Sequence, residues 1–304
     1  MSRVCVLALA GLSKLALAQT PAANPMPDGS RDMYLGLGVQ SAPRYEGADS
    51  RRTTALPVLQ FQWSNGIFVS GLSAGMHLSS RPGIEYGPLL ALAPGRDESG
   101  TRLLRLGTVN DGSGGSSGPG ATLPVPDWMP PPARLAEDGY EAEPEPAGNR
   151  LAGMEPLRRR VLAGGFLNLY LNPQWRLTGN LLYGSGNARN GLRAHLAVQR
   201  LALQLAPQHT LSLSAGVSVV NRAHSQAYFG VSEDEANRSI NLMYASGGGL
   251  QDVRAGARWN WTFTPAWMLT SGIQATRLLG DAKHSPLAER PTNLTVSTAL
   301  AYRF

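Results

Sequence analysis

The sequence predicts an all-β protein, and more narrowly an antiparallel transmembrane β-barrel. Apolar and polar residues alternate with a period of two along segments of roughly 10–14 residues, long enough to cross a bilayer at a tilt. Aromatic residues collect at the ends of these segments, where an interfacial girdle is expected. The connections between the segments are alternately tight and long, which is typical of outer-membrane barrels.

The composition excludes a helical membrane protein. The chain has 304 residues and 35 glycines, and only 16% of its residues are charged, against about 25% in an average protein. No stretch approaches the ~18–20 uninterrupted apolar residues that a spanning helix needs. A soluble β-sandwich would show the same alternation, but its strands are usually only about 5–6 residues long. The barrel is therefore favoured over the sandwich.

Residues 1–18 are predicted to be a secretory signal peptide. They contain an early positive charge, an apolar run and a small-x-small cleavage site that ends at Ala18. Because Lys14 interrupts the apolar run, a frayed N-terminus without export is the alternative. Cleavage after Ala18 would remove Cys5, the one cysteine, and leave a mature chain that cannot form disulfides. Residues 19–32 are predicted to be a polar periplasmic leader.

Eleven segments show the alternation that predicts strands. They are 33–42, 54–63, 67–78, 84–93, 161–171, 174–183, 191–205, 209–219, 250–263, 267–276 and 294–304. The phase changes near Gln199, which predicts a β-bulge. Because single-chain barrels have an even number of strands, a twelfth is required, and 101–106 is the remaining candidate. The prediction is twelve strands, with ten as the alternative if weak N-terminal segments fuse or fail.

Residues 33–304 are predicted to form the barrel, with a loop insert at about 108–156. The insert is rich first in glycine and serine, then in proline, then in acidic residues. Such a composition cannot bury a core, so a solvated loop is expected. A plug or a partner-binding loop is the alternative.

Five arginines lie on the predicted inward face of the strands and are candidate lumen charges. They are Arg176, Arg193, Arg254, Arg258 and Arg303. Unpaired, they would make a positive lumen that favours anions. Paired with carboxylates, they would fill a narrow interior that conducts nothing. Acidic residues are scarce in the predicted strands, with Glu85 as the main one, and this favours unpaired charge.

A series of short motifs occurs along the chain in the order known from one protein family. The motifs are YLGLGV at 34–39, YEG at 45–47, YGP at 86–88, GRDES at 95–99, GGFLN at 164–168, YGSGN at 183–187, YFGVS at 228–232, GGLQDV at 248–253, RLLGDA at 277–282, SP at 285–286 and AYRF at 301–304. In these motifs the chain resembles the MltA-interacting protein family, also called the MipA/OmpV family. The resemblance covers nearly all of the predicted mature chain except the insert.

The resemblance implies a barrel in the outer membrane of a Gram-negative cell, in contact with outer-membrane lipid. Family members are described as scaffolds that link a lytic transglycosylase to a murein synthase, and elsewhere as porin-like or adhesive proteins. The terminal aromatic residues Tyr302 and Phe304 resemble the signal that is read by the barrel-insertion machinery. We therefore expect them to act as an assembly signal.

The sequence predicts no enzymatic activity. Nucleophilic catalysis needs a histidine within hydrogen-bond reach of a serine, and the local candidates are His224 with Ser225 and His284 with Ser285. Both pairs fall in predicted loops, and isolated surface histidines are the favoured interpretation. No cofactor is predicted, because no residue spacing typical of a metal or phosphate site occurs. The arginines are dispersed among strands, which argues against nucleic-acid binding.

Two functions follow as hypotheses. In the first, the chain is a non-enzymatic scaffold for peptidoglycan-remodelling enzymes, and this rests on the family resemblance. In the second, it is a small, anion-preferring diffusion channel, and this rests on the five inward arginines. The scaffold is favoured, because a resemblance along the whole chain is more specific than dispersed arginines.

Overall fold

A computed structural model describes residues 31–63, 65–79, 81, 83–102 and 149–304. It confirms a closed antiparallel barrel of twelve strands. The predicted signal peptide with its cleavage site at Ala18 lies outside the described residues, as do most of the leader and most of the insert. No helix in the described ranges is long and apolar enough to cross a membrane.

Each barrel strand pairs with its neighbours in the sequence, and the first strand pairs with the last. The barrel strands are β1 (Arg31–Pro43), β2 (Arg51–Trp63), β3 (Ile67–Ser70), β4 (Ser73–Met76), β5 (Ile84–Ala93), β8 (Arg160–Asn172), β9 (Trp175–Ser185), β10 (Gly191–Ala206), β11 (His209–Val220), β12 (Gly249–Thr262), β13 (Trp267–Leu278) and β14 (Thr292–Arg303). The closing pair places Tyr34 opposite Arg303 and Gly38 opposite Ala299. Two further strands, β6 (Gly95–Asp97) and β7 (Gly100–Arg102), form a separate small sheet.

The strand count was predicted correctly, but two of the strand assignments were wrong. The segment 67–78 is a hairpin rather than one strand, because a two-residue turn at Gly71 and Leu72 places Ser70 opposite Ser73. Gly71 has a φ of 57°, which favours glycine. The described part of the predicted strand 101–106 lies in the small sheet and not in the barrel. Its first two residues belong to β7, and the rest lies outside the described residues.

The two ends of the barrel differ in the length of their connections. The short-turn end has the connections 64–66, 77–83, 173–174, 207–208 and 263–266, whereas the loop end has 44–50, 94–159, 186–190, 221–248 and 279–291 besides the two-residue turn 71–72. The predicted bulge in β10 lies between Arg200 and Leu203. The short-turn end carries ring contacts between aromatic residues, such as Trp267 with Tyr302 at 5.0 Å.

The outer face of the strands is apolar. Residues that project outward from β1, such as Leu35, Leu37 and Val39, are about half exposed or more, and Leu37 reaches 66%. Leu196 in β10 is similarly exposed, and Leu300 in β14 is 41% exposed. A water-soluble protein rarely exposes so large a continuous apolar surface. This surface matches the hydrocarbon-facing band of a membrane barrel.

Among the described residues, three short helices lie at the loop end, where sequence periodicity indicated none. They are α1 (Arg222–Phe229), α2 (Glu233–Arg238) and α3 (Gly280–His284). The Asn221 side chain accepts from the His224 backbone N–H at 2.9 Å and caps α1. A capping box between Ser232 and Glu235 begins α2. Helices of five to eight residues are too short to show a helical period, but the capping box is readable from the sequence.

The loops share a small hydrophobic core. It is formed by Tyr45, Ala48, Leu151, Met154, Val231 and Leu287. Leu151 is only 1% exposed, and it lies within the predicted insert. The last residues of that insert therefore belong to the folded loop end.

Candidate functional site

A charge network crosses the barrel interior near the loop end. Asp252 in β12 is fully buried, and its Oδ1 lies 2.7 Å from Arg254 Nε. Its Oδ2 lies 3.6 Å from Arg193 Nη2 in β10. Ser218 in β11 donates to Asp252 Oδ1 at 3.0 Å. Glu46, from the connection 44–50, reaches Arg254 Nη2 at 3.3 Å.

The backbone explains why Asp252 faces inward. The register of β11 and β12 shifts between Ser218 and Val219, so Gln251 is the extra residue of a bulge. Side chains two residues apart share one face of a strand, and Asp252 therefore lies beside Arg254. The expectation of unpaired positive charge was wrong for Arg193 and Arg254.

A second polar group lines the interior near the short-turn end, on the adjacent strands β5, β8, β9 and β10. Arg176 is 1% exposed, and its Nε donates to Gln199 Oε1 at 2.9 Å. Its Nη1 donates to Tyr170 Oη at 3.3 Å, and the Tyr170 hydroxyl donates to Glu85 Oε2 at 3.1 Å. Asn168 donates to the same carboxylate oxygen at 3.0 Å. Glu85 is thus held in a network of hydrogen bonds that also includes Arg176.

The remaining two predicted lumen charges are Arg303 and Arg258. Arg303 places its guanidinium 5.9 Å from the centre of the Tyr34 ring, next to the short-turn end. Arg258 lines a cavity that it shares with Arg193 and Arg254. Tyr302 and Phe304, the predicted assembly signal, lie in ring contact at 5.4 Å on the outer face.

This cavity has a volume of about 330 Å³ and lies inside the barrel below the loops. One wall is apolar and buried, formed by Leu56, Val58, Ala91, Ala93, Leu162 and Leu182. Small side chains on β11 to β14 leave the space open opposite, among them Ser212, Ser214, Gly256, Gly272 and Ser297. The cavity is therefore apolar on one side and polar on the other.

The roof of the cavity is made by β6 and α1. Arg96 Nη1 donates to the Tyr228 carbonyl oxygen at 2.7 Å. His224 Nδ1 lies 2.7 Å from Ser185 Oγ, and the imidazole stacks on the Tyr228 ring at 4.6 Å. Burial lowers the pKa of His224 to about 3, and the charge of Arg193 acts in the same direction. The imidazole is therefore neutral at pH 7.

The two serine–histidine pairs considered from the sequence are not brought together. Ser225 Oγ lies 2.6 Å from Ser246 Oγ, and Ser285 Oγ donates to the Phe229 carbonyl. The contact between Ser185 and His224 has no sequence signal, because 39 residues separate the two. In the described part of the chain no carboxylate hydrogen-bonds the His224 ring, and no group of three metal-ligating side chains forms. A neutral, deeply buried imidazole is suited to anchoring α1 on β9.

The chain matches the family model described as MltA-interacting protein MipA over residues 35–304. A search of curated proteins finds no match. Among solved structures, a bacterial polysaccharide outer membrane secretin is similar with 10% identity and a TM-score of 0.34, over 92% of this chain and all of that chain. A Pseudomonas aeruginosa FadL homologue gives 9% identity and a TM-score of 0.33, over 94% and 93% of the two chains. The N-terminal β-barrel domain of Pseudomonas aeruginosa OprF gives 14% identity and a TM-score of 0.23, over 47% of this chain and 87% of that chain. With scores this low, the barrel assignment rests on strand pairing.

Proposed function

The chain belongs to the MltA-interacting protein MipA family, and we propose that it is a non-enzymatic outer-membrane scaffold for peptidoglycan-remodelling enzymes. The family name supports a lytic transglycosylase of the MltA kind as one partner. A murein synthase is the second partner implied by the resemblance. The apolar outer face of the strands and the terminal aromatic residues support the outer membrane as the location.

The observation that favours a scaffold function over an open channel is the Asp252–Arg254–Glu46 network. An anion pore needs cationic side chains that solutes can reach. Here Asp252 pairs with Arg193 and Arg254, and Glu46 pairs with Arg254, so two of the interior arginines are engaged by carboxylates. Near the other end, Arg176 and its partners place a second hydrogen-bonded network on the inner wall of the barrel. Such a barrel acts through its surfaces rather than through a bore.

The scaffold surface is the short-turn end, since periplasmic enzymes meet this end of an outer-membrane barrel. Its longest connection is 77–83, between β4 and β5. Arg81 in this connection is exposed. The predicted leader at 19–32 precedes β1 at the same end and is proposed to extend this surface.

The test is direct binding of a purified lytic transglycosylase to the full chain in lipid nanodiscs. Arg81→Glu is expected to weaken binding, because it reverses a charge on the proposed surface. Arg290→Glu is the matched control, since Arg290 is 63% exposed but lies at the loop end, where it pairs with Asp49. Binding no stronger than to empty nanodiscs, or weakening by Arg290→Glu alone, would contradict the proposal.

A small diffusion channel is the second candidate, and the cavity of about 330 Å³ is the observation that favours it. Arg258 lines this cavity on the polar side. A channel would require the cavity to continue past Arg176 to the short-turn end. Steady ion conductance in a bilayer separates the two candidates.

A further inference from the structure

We propose that the cavity inside the barrel is a binding site for a small amphiphile, with an anionic head on its arginine side and a compact apolar body on its leucine side. This goes beyond the scaffold function and does not depend on it. Its volume of about 330 Å³ is at the lower end of the range for ligand pockets, about 300–1,000 Å³.

The charges around the cavity favour an anion. Four guanidinium groups line it in the described part of the chain, those of Arg96, Arg193, Arg254 and Arg258. Glu46 is the one carboxylate among the described lining residues, and Asp252 lies directly behind Arg254. Three of the four are held in place by contacts with neighbours. Arg96 in the roof donates to the Tyr228 carbonyl oxygen, and Arg193 and Arg254 belong to the charge network. A carboxylate or sulfonate reaching this side would meet preoriented donors.

The opposite wall favours an apolar body. Leu56 and Val58 from β2 and Leu162 and Leu182 from β8 and β9 line this wall, and all four are buried. The small residues of β11 to β14, such as Ser214 and Gly272, leave the volume between the walls unfilled. An apolar wall next to unfilled space gains free energy when an apolar group covers it.

A buried hydroxyl points to a ligand as well. Ser70 at the end of β3 lines the cavity and is 3% exposed, and its Oγ has no hydrogen-bond partner among the described residues. A buried hydroxyl without a partner costs free energy, so such groups are rare in native proteins. A polar atom on the ligand would satisfy it.

The experiment measures saturable binding of 1-naphthoate to the full chain in lipid nanodiscs, by calorimetry with empty nanodiscs subtracted. We expect 1-naphthoate to bind and the uncharged 1-naphthalenemethanol to bind at least about tenfold more weakly, because it lacks the charge that the arginines recognise. Arg258→Ala should weaken naphthoate binding by about tenfold or more. Ser214→Trp should abolish it by filling the cavity.

Arg303→Ala is the matched control, since it removes another inward arginine that does not line the cavity. It should leave naphthoate binding unchanged. Each variant is first checked for heat-modifiable electrophoretic mobility, and Arg258→Gln replaces Arg258→Ala if the latter does not fold. The proposal is overturned if wild-type protein shows no saturable binding, if alcohol and acid bind equally, or if folded Arg258 variants bind like wild type.

Discussion

Arg254 Nε lies 2.7 Å from Oδ1 of Asp252, two positions earlier on the same strand. This spacing puts both side chains on the inner face of β12, where Asp252 is fully buried. Ser218 and Arg193 approach the same carboxylate from the two preceding strands. One carboxylate thus links three neighbouring strands and fixes two of the interior arginines.

Asp252→Asn is expected to destabilise the barrel strongly. The substitution leaves Arg193 and Arg254 without their shared buried carboxylate, and removing one partner of a buried pair costs about 3–5 kcal/mol. The temperature at which the folded band is lost in unheated electrophoresis should fall clearly. Asp49→Asn is the matched control, because the ion pair of Asp49 with Arg290 is exposed and worth about 0–1 kcal/mol. Equal thermal stability of the two variants would contradict the account.

The roof over the cavity should loosen as the pH falls. Burial lowers the pKa of His224 from 6.5 to about 3 in the folded protein, so between these values the unfolded roof binds more protons than the folded one. The stability of α1 on the barrel is therefore complete above about pH 6.5 and decreases as the pH falls toward about 3. Hydrogen exchange in residues 221–230 at pH 7 and pH 4.5 measures this directly.

His224→Gln removes the titrating group and should flatten that pH dependence. His284→Gln is the control, because His284 is exposed at the end of α3. An unchanged pH profile in His224→Gln would assign the loosening to another group.

Deletion of Phe304 should block assembly. The residue is 60% exposed on the outer face, where it contacts Tyr302, so its removal costs little packing but removes the predicted assembly signal. We expect unfolded protein in the periplasm, detected by the loss of heat-modifiable protein in outer-membrane fractions. Phe304→Tyr keeps an aromatic terminus and should assemble. Normal assembly of the deletion variant would refute the assembly role.

Two deletions should separate the predicted insert from the folded loop end. Removing residues 110–148 is expected to preserve the barrel, because the entropic cost of closing a loop changes only slowly with the length of the loop. Extending the deletion to residue 155 also removes Leu151 and Met154 from the loop core. Loss of a buried Leu or Met side chain costs about 2–5 kcal/mol. Proteolysis of the loop end should therefore increase only in the longer deletion, and equal protection in both would be inconsistent with the loop core.

The alternation in the sequence predicted the barrel and most of its strands, because each strand has one lipid-facing and one inward-facing side. It failed at 67–78, where the two-residue turn at Gly71 and Leu72 shifts the phase within a segment of weak contrast. The parity argument then assigned the missing strand to 101–106. The total of twelve was still right, because counting 67–78 as one strand instead of two missed one strand, and 101–106 was counted in its place.

The candidate site was only partly predictable. The inward positions of Arg254 and Arg258 follow from strand alternation, and Asp252 could have been found two residues before Arg254. Glu46 could not, since it reaches the interior from a connection whose path no local pattern specifies. The contact of Ser185 with His224 likewise depends on how α1 folds back over the barrel.

The conductance of wild-type protein in a planar lipid bilayer decides between a closed scaffold barrel and a channel. No steady current is expected across a wide voltage range, because we propose that the Asp252–Arg254–Glu46 network and the Arg176 group block the path through the barrel. An open porin measured in the same bilayer provides the positive control. A steady wild-type conductance that prefers chloride over potassium, weakens in selectivity at high salt and inverts in Arg258→Glu would contradict the account and identify the chain as a channel.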